Sequence, residues 1–156
     1  MATAKTNKTI IKFKKLHPDA KVPERKTDGA VGFDLTSVAD VTIRNVNVES
    51  KAVCIPTGIA LEIPKGYHGK VFLRSSTGLN TKLRLANGTG IIDSDFRGEV
   101  LILAENNTRS YVHVRKGERV AQLLIEKTEE VTFEEAEELS DTDRGTKGYG
   151  STGRLW

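Results

Sequence analysis

Residues 90–100 place an aspartate, an aromatic ring and two glycines in one short turn between apolar runs: Gly90, Ile91, Ile92, Asp93, Ser94, Asp95, Phe96, Arg97, Gly98, Glu99 and Val100. An ionised carboxylate beside a bound water can orient that water and accept its proton as it attacks a phosphorus centre. Asp93 is the candidate for that work. Taken alone, the Ile-Asp-Ser-Asp run would read as a turn shaped by aspartates, and Asp95 is given that structural or surface role. Asn87 and Gly90 stand at the front of the turn. An Asn amide offers a donor and an acceptor, which suits the edge of a nucleobase. Glycine lets a backbone approach a flat ring closely. Phe96 can pack against a sugar, or serve as a core aromatic.

A second segment ends the chain: Arg144, Gly145, Thr146, Lys147, Gly148, Tyr149, Gly150, Ser151, Thr152 and Gly153. Ordering such a glycine-rich arm costs about 1–2 kcal/mol per residue. A polyphosphate can offset that cost through Arg144, Ser151, Thr152 and the backbone amides. Without the other motifs the arm would pass for a linker. Arg74, Ser75 and Ser76 form a third group, in which hydroxyls and the amides of a helix start can hold phosphate oxygens; a plain helix cap beside a surface arginine is the alternative. Gln122 is polar within the apolar run 120–125. Burying it without a partner would cost about 1–3 kcal/mol, so a polar ligand or water is its natural neighbour. Asp34 follows Gly32 and Phe33 at what reads as a strand start.

These groups must be held by β-structure. Short apolar alternations recur at 10–13, 41–43, 59–63, 70–73, 100–104 and 120–125, separated by Gly, Pro, Asn and Asp. That spacing predicts an all-β sandwich or barrel rather than βαβ units. Residues 56–58, 64–66 and 115–118 read as turns. One short helix is expected after Arg74, capped by Ser75 or Ser76, with Leu79 and Leu83 four apart. Residues 132–135 fit a capping box, but Val131 and Phe133 alternate, and a strand is expected there. From Asp141 onward Gly, Ser and Thr dominate, which predicts a mobile tail unless something binds it.

A chain of 156 residues supports one buried core and one domain. No apolar run approaches the roughly 20 residues of a membrane helix, and the N-terminus has no apolar signal core. Both features point to a soluble protein of the cytoplasm or nucleus, with no membrane partner. The single Cys54 can make no internal disulfide and is expected to be a small buried hydrophobe. Charge is uneven: residues 1–26 hold eight Lys/Arg against two acids, and residues 126–143 hold nine acids against Lys127. The basic start is read as a solvated strand and tail. Without interleaved aromatics it does not suggest a nucleic-acid surface, and no nucleic-acid partner is expected.

Five segments in order resemble the motifs of the trimeric deoxyuridine triphosphatase family. Asp28, Gly29, Ala30, Val31, Gly32, Phe33, Asp34 and Leu35 are similar to the first. Arg74, Ser75 and Ser76 are similar to the second, with Leu73 where proline is common. Residues 90–98 resemble the third, with Phe96 where tyrosine is usual. Arg119, Val120, Ala121, Gln122 and Leu123 resemble the fourth. The arm resembles the fifth, with Lys147 where glycine is usual and Tyr149 where phenylalanine is. The resemblance covers about residues 10–153.

The resemblance implies a jelly-roll-like β-barrel over residues 1–140 and a flexible glycine-rich arm over 141–156. It implies a homotrimer with three shared sites. One subunit supplies the third motif, a neighbour the first, second and fourth, and the remaining subunit lends its arm. Asp93 would activate a water that attacks the α-phosphorus of dUTP, giving dUMP and pyrophosphate. Such a reaction limits uracil in DNA and supplies dUMP for thymidylate synthesis. Gln122 is placed with Asp93 in the catalytic set and holds the phosphates. Asn87, Gly90, Ile92 and Phe96 would bind the deoxynucleoside, with Phe96 crowding out a 2′-hydroxyl. Arg74, Ser75, Ser76, Arg144, Gly150, Ser151 and Thr152 would bind the phosphate chain, and Tyr149 would stack on uracil. Mg²⁺ would ride mainly on the triphosphate and meet Asp34 through water, since it keeps much of its hydration shell. Two other readings share the scaffold: a dCTP deaminase, against which the complete fifth motif argues, and a binding or signalling protein without catalysis, against which Asp93, Gln122 and Arg144 argue.

Overall fold

The computed structural model describes residues 8–48 and 51–148. Ten strands form among the described residues: β1 (Lys12–Lys15), β2 (Phe33–Thr36), β3 (Val41–Ile43), β4 (Val53–Glu62), β5 (Tyr67–Leu73), β6 (Leu83–Leu85), β7 (Gly90–Ile92), β8 (Glu99–Asn106), β9 (Val112–Val114) and β10 (Arg119–Lys127). One four-stranded sheet has the order β1-β4-β8-β6, a second has β2-β10-β5-β7, and β3 pairs with β9. Every ladder is antiparallel. Period-2 patterning makes each sheet one-sided. Ile55, Leu61, Val100, Ile102 and Ala104 from the first sheet are buried, as are Leu35, Val71, Ile92, Ala121 and Leu123 from the second. The two inner faces form one apolar cluster. The all-β, jelly-roll-like expectation therefore holds.

Local expectations met the tertiary context with mixed results. The turns at Pro64–Gly66 and at Arg115–Glu118 form, with φ near +83° at both Gly66 and Gly117. Pro56, Thr57 and Gly58 do not reverse the chain. They lie inside β4, where the register against β8 shifts between Pro56 and Ala60. This is a bulge, the one place a sheet interior accepts Pro and a positive-φ Gly together. Gly58 has φ +68°, and a Cβ there would lie 2.8 Å from His17 Cβ. Thr57 Oγ1 donates to Val100 O at 2.6 Å, and the Gly58 N–H donates to Glu99 Oε1 at 2.7 Å, replacing ladder bonds. The first strand begins at Lys12, two residues later than the apolar run suggested.

The helix α1 (Ser75–Thr81) follows Arg74, but Arg74 is its N-cap residue and no side chain caps it. Lys82 at φ 53° ends it, so Leu79 and Leu83 share no helix face: Leu79 is exposed and Leu83 is buried in β6. The expected strand at 131–133 is absent. A strand needs a hydrogen-bonded neighbour, and residues 129–148 are exposed, with no strand or helix among them. Phe133 is 96% exposed. Cys54 is exposed rather than buried. It pairs with Leu103 on the outward face of β4, while its neighbours Val53 and Ile55 face the core. No helix among the described residues is long and apolar enough to cross a membrane.

Candidate active site

Three adjacent strands bring distant segments together. Gln122 on β10 lies opposite Asp34 on β2 and opposite Phe72 on β5. All three fall on the outward phase of the second sheet, since Leu35, Val71, Ala121 and Leu123 are buried on the other. Arg74 leaves the end of β5, anchored by its N–H to Val120 O at 3.1 Å, and Ser75 opens α1 with Ser76 next to it, both exposed. The result is a cavity of about 430 Å³ lined by Gly32, Asp34, Arg74, Ser75, Arg119 and Gln122, with Phe72 among its apolar walls. Residues of the first, second and fourth motifs thus share one pocket.

The pocket is cationic and tightly tied. Asp34 Oδ1 lies 3.1 Å from Arg74 Nε, and Asp34 Oδ2 lies 2.7 Å from Arg119 Nη1. Arg74 Nη1 also donates to the Arg119 carbonyl at 3.2 Å. Gln122 Nε2 donates to Leu73 O at 3.4 Å, a long bond that leaves the amide adjustable. Its Oε1 points at Gly32, where a Cβ would come within 2.4 Å. Arg119 and Gly32 join the pocket with roles that their sequence context does not announce. Both belong to the motif segments, but neither shows its partner until β2 and β10 pair.

Asp93 is elsewhere. Ile92 pairs with Gly69, and one step further puts Asp93 beside His68, at the start of β5. Arg74 follows the other end of the strand. From His68 to Leu73 is five residues, about 16 Å at roughly 3.3 Å each. A general base must sit within about 2.6–3.2 Å of the water it deprotonates. Asp93 therefore stands well beyond hydrogen-bond reach of the groups at the Arg74 end of β5 in its own chain. It is exposed and edges a separate depression with Tyr67, His68, Ile91 and Ser94. On the same outward face, Lys70 Nζ lies 2.6 Å from Glu126 Oε2, and that hydrogen bond holds the Glu126 carboxyl below its usual range.

The turn around Asp93 is built by backbone. The Phe96 N–H donates to Asp93 O at 3.2 Å, and Arg97 Nη1 donates to Ser94 O at 2.6 Å. Phe96 is 45% exposed, its ring folded over Gly98, where a Cβ would meet Cζ at 2.6 Å. Gly90 sits against Val71, with Asn87 Nδ2 3.7 Å from the Cβ it lacks. Ile92 is buried in the core, so what it offers outward is its backbone. Arg144 lines neither cluster; its Nε donates to Lys147 O at 3.2 Å in a local turn. Tyr149, Gly150, Ser151 and Thr152 lie outside the described residues. Among the described residues no three His, Cys, Asp or Glu side chains gather as a metal cage.

Comparison with known proteins points to one family. A family model described as dUTPase matches residues 18–153. A deoxyuridine 5′-triphosphate nucleotidohydrolase of Helicobacter pylori is 38% identical over 143 residues, covering 92% of this chain and 96% of its own. The enzyme of that name from Nautilia profundicola is 40% identical over 144 residues, covering 92% and 99%. Among solved structures, the dUTPase of Staphylococcus bacteriophage 80alpha with dUPNHPP matches with a TM-score of 0.82 at 27% identity, covering 93% of this chain and 99% of that one.

Proposed function

The chain belongs to the dUTPase family, and from that premise we propose that it hydrolyses dUTP to dUMP and pyrophosphate in sites shared between the subunits of a homotrimer. The observation that carries the shared site is the split layout. Asp34, Arg74, Ser75 and Gln122 line one cavity, while Asp93 lies about 16 Å along β5 from the strand end that leads into it. A second copy must supply the carboxylate. In this reading the cavity takes the triphosphate, and the Asn87–Phe96 turn of a neighbour takes the deoxynucleoside. Asp93 of that neighbour orients a water in line with the α-phosphorus and accepts its proton. Arg144, Tyr149, Gly150, Ser151 and Thr152 of an arm formed by residues 141–156 close the site and exclude bulk water. The surplus positive charge at Arg74 and Arg119 meets the charge that develops on the departing pyrophosphate.

Mg²⁺ fits as a passenger of the substrate. The described residues build no cage, and both Asp34 oxygens already hold a guanidinium. An ion carried on the triphosphate, keeping its waters, asks only for an outer contact from Asp34. It would supply charge neutralisation on the phosphate oxygens.

Selectivity tests this reading. With Mg²⁺ present, dUTP is expected to be cleaved at least ~10²-fold faster in kcat/KM than dTTP, dCTP or UTP. The thymine methyl meets the close backbone at Gly90, cytosine leaves polar atoms of the turn unpaired, and the UTP hydroxyl meets the Phe96 ring. Pyrophosphate release across the four nucleotides measures it. Comparable rates for dTTP or UTP would refute the pocket, and ammonia release from dCTP would assign the chain to deamination.

Gly32 gives a narrower test. In Gly32→Ala the new methyl must displace the Gln122 amide. The expected loss in kcat/KM is about 10–10²-fold, the scale of one misplaced phosphate donor, with thermal stability little changed at this pocket-lining position. Gln122→Ala should lose a similar amount, and the double variant no more than the worse single. Additive losses would uncouple Gly32 from Gln122.

A further inference from the structure

We propose that Lys26 is a further phosphate-binding residue of the Arg74 cavity, and that Glu24 holds its ammonium in reserve until a polyanion displaces the carboxylate. The proposal rests on the triphosphate reading of the pocket. Lys26 stands outside the five motif segments, the first of which opens at Asp28. It nevertheless lines the same cavity as Arg74, Ser75, Arg119 and Gln122. It also lines an adjoining depression with Lys21, Glu24 and Gly117, so it stands on the wall between the two.

The backbone ahead of β2 aims it there. The Asp34 N–H donates to Glu24 O at 3.0 Å, in an antiparallel bridge that lays residue 24 beside β2. Side chains then alternate. Arg25 turns to one side, its guanidinium carbon 4.5 Å from the Phe33 ring centroid, and Pro23 lines the same apolar groove as Phe33. Glu24 and Lys26 fall to the other side, with Asp34 and Arg119. The cation–π contact of Arg25 fixes that phase.

The cations of the cavity differ in freedom. Arg74 and Arg119 are tied to Asp34, and their side chains are 27% and 39% exposed. Lys26 Nζ lies 3.0 Å from Glu24 Oε1 instead, with the two side chains 48% and 65% exposed. An ion pair so exposed is weak, and an ammonium on a four-carbon stem swings readily. A triphosphate brings several negative charges to the cavity against the single one on Glu24, so exchange of partners favours the ligand. Lys26 is then the mobile cation beside two fixed ones, closing on the phosphate chain from the exposed edge.

The probe is dUpNHpp, titrated calorimetrically with Mg²⁺ present into wild type, Lys26→Gln, Glu24→Gln, their double variant and Lys21→Gln. Lys21→Gln removes the same charge from the adjoining depression and separates contact from plain field. Lys26→Gln is expected to bind ~10-fold more weakly, the scale of a lost charged hydrogen bond. KM for dUTP should rise by about the same factor, with kcat changing less. Lys21→Gln should stay within about twofold of wild type, its charge being screened by solvent. Glu24→Gln should bind tighter by about two- to fivefold, and that gain should vanish in the double variant, where no ammonium remains to be released.

Wild-type affinity in Lys26→Gln, or an equal loss in Lys21→Gln, would overturn the contact. A Glu24→Gln gain that is absent, or that persists in the double variant, would overturn the exchange of partners. The substituted side chains are exposed, so melting temperatures should match wild type and leave affinity as the readout. A wild-type protein that does not bind dUpNHpp at all would instead refute the triphosphate reading beneath the proposal.

Discussion

Asp93→Asn is expected to fold, assemble and bind nucleotide as the parent does, and to lose about 10²–10⁴-fold in turnover, the usual contribution of a general base. The turn should survive because its bonds are made by other groups: the Asp93 carbonyl accepts from the Phe96 N–H, and Arg97 ties down Ser94 and Phe96 carbonyls. The carboxylate itself is exposed and edges an open depression. Asparagine matches its shape but cannot accept a proton from water. Steady-state pyrophosphate release, paired with an affinity for dUpNHpp, separates the two effects. Turnover within a few-fold of the parent would remove Asp93 from the role and leave it shaping the turn beside Asp95.

Much of the architecture was legible because one-sided sheets write themselves into sequence with period 2. The runs at 100–104 and 120–125 became β8 and β10, and Gly66 and Gly117 turned the chain where their signals stood. The failures share a cause, since each depended on a partner the local sequence does not name. Pro56 and Gly58 carry turn chemistry, yet β8 lies on both sides of them in register and converts a reversal into a bulge. Val131 and Phe133 alternate as strand residues do but find no strand alongside among the described residues. Cys54 has a buried residue's composition and an outward phase, because Ile55 claims the core. Three-residue strands such as β6, β7 and β9 are too short to show a period at all.

The site was readable to a different degree. Residue types and motif order named Asp34, Arg74, Ser75, Gln122 and Asp93, since glycines, hydroxyls and an isolated carboxylate are costly choices for plain β-structure. What the sequence could not give is grouping. Asp34 and Arg119 stand 85 residues apart and meet at 2.7 Å only because β2 and β10 are neighbours. Likewise nothing local says that Gly32 makes room for the Gln122 amide, or that Asp93 is turned away from the arginines.

That separation gives the largest expected signal of all, from two inactive proteins mixed together. Arg74→Ala removes a phosphate donor but keeps the Asp93 turn; Asp93→Asn keeps the phosphate pocket but lacks the base. Each alone should lose about 10²-fold or more. In a symmetric trimer whose sites form between subunits, unfolding and co-refolding the two at equal ratio scrambles the chains. A site regains function when its turn comes from an Arg74→Ala chain and its pocket from an Asp93→Asn chain, which happens in about one site in four. Activity should therefore climb from about a hundredth or less to about a quarter of the parent value, and only after subunits exchange. The gain follows from the shared-site reading, which rests on the β5 ladder holding the two half-sites about 16 Å apart within one chain. If the refolded mixture stayed as inactive as its components while forming mixed trimers by native mass spectrometry, both half-sites would have to act within one chain, and the strand register between Ile92 and Gly69 would no longer describe the working enzyme.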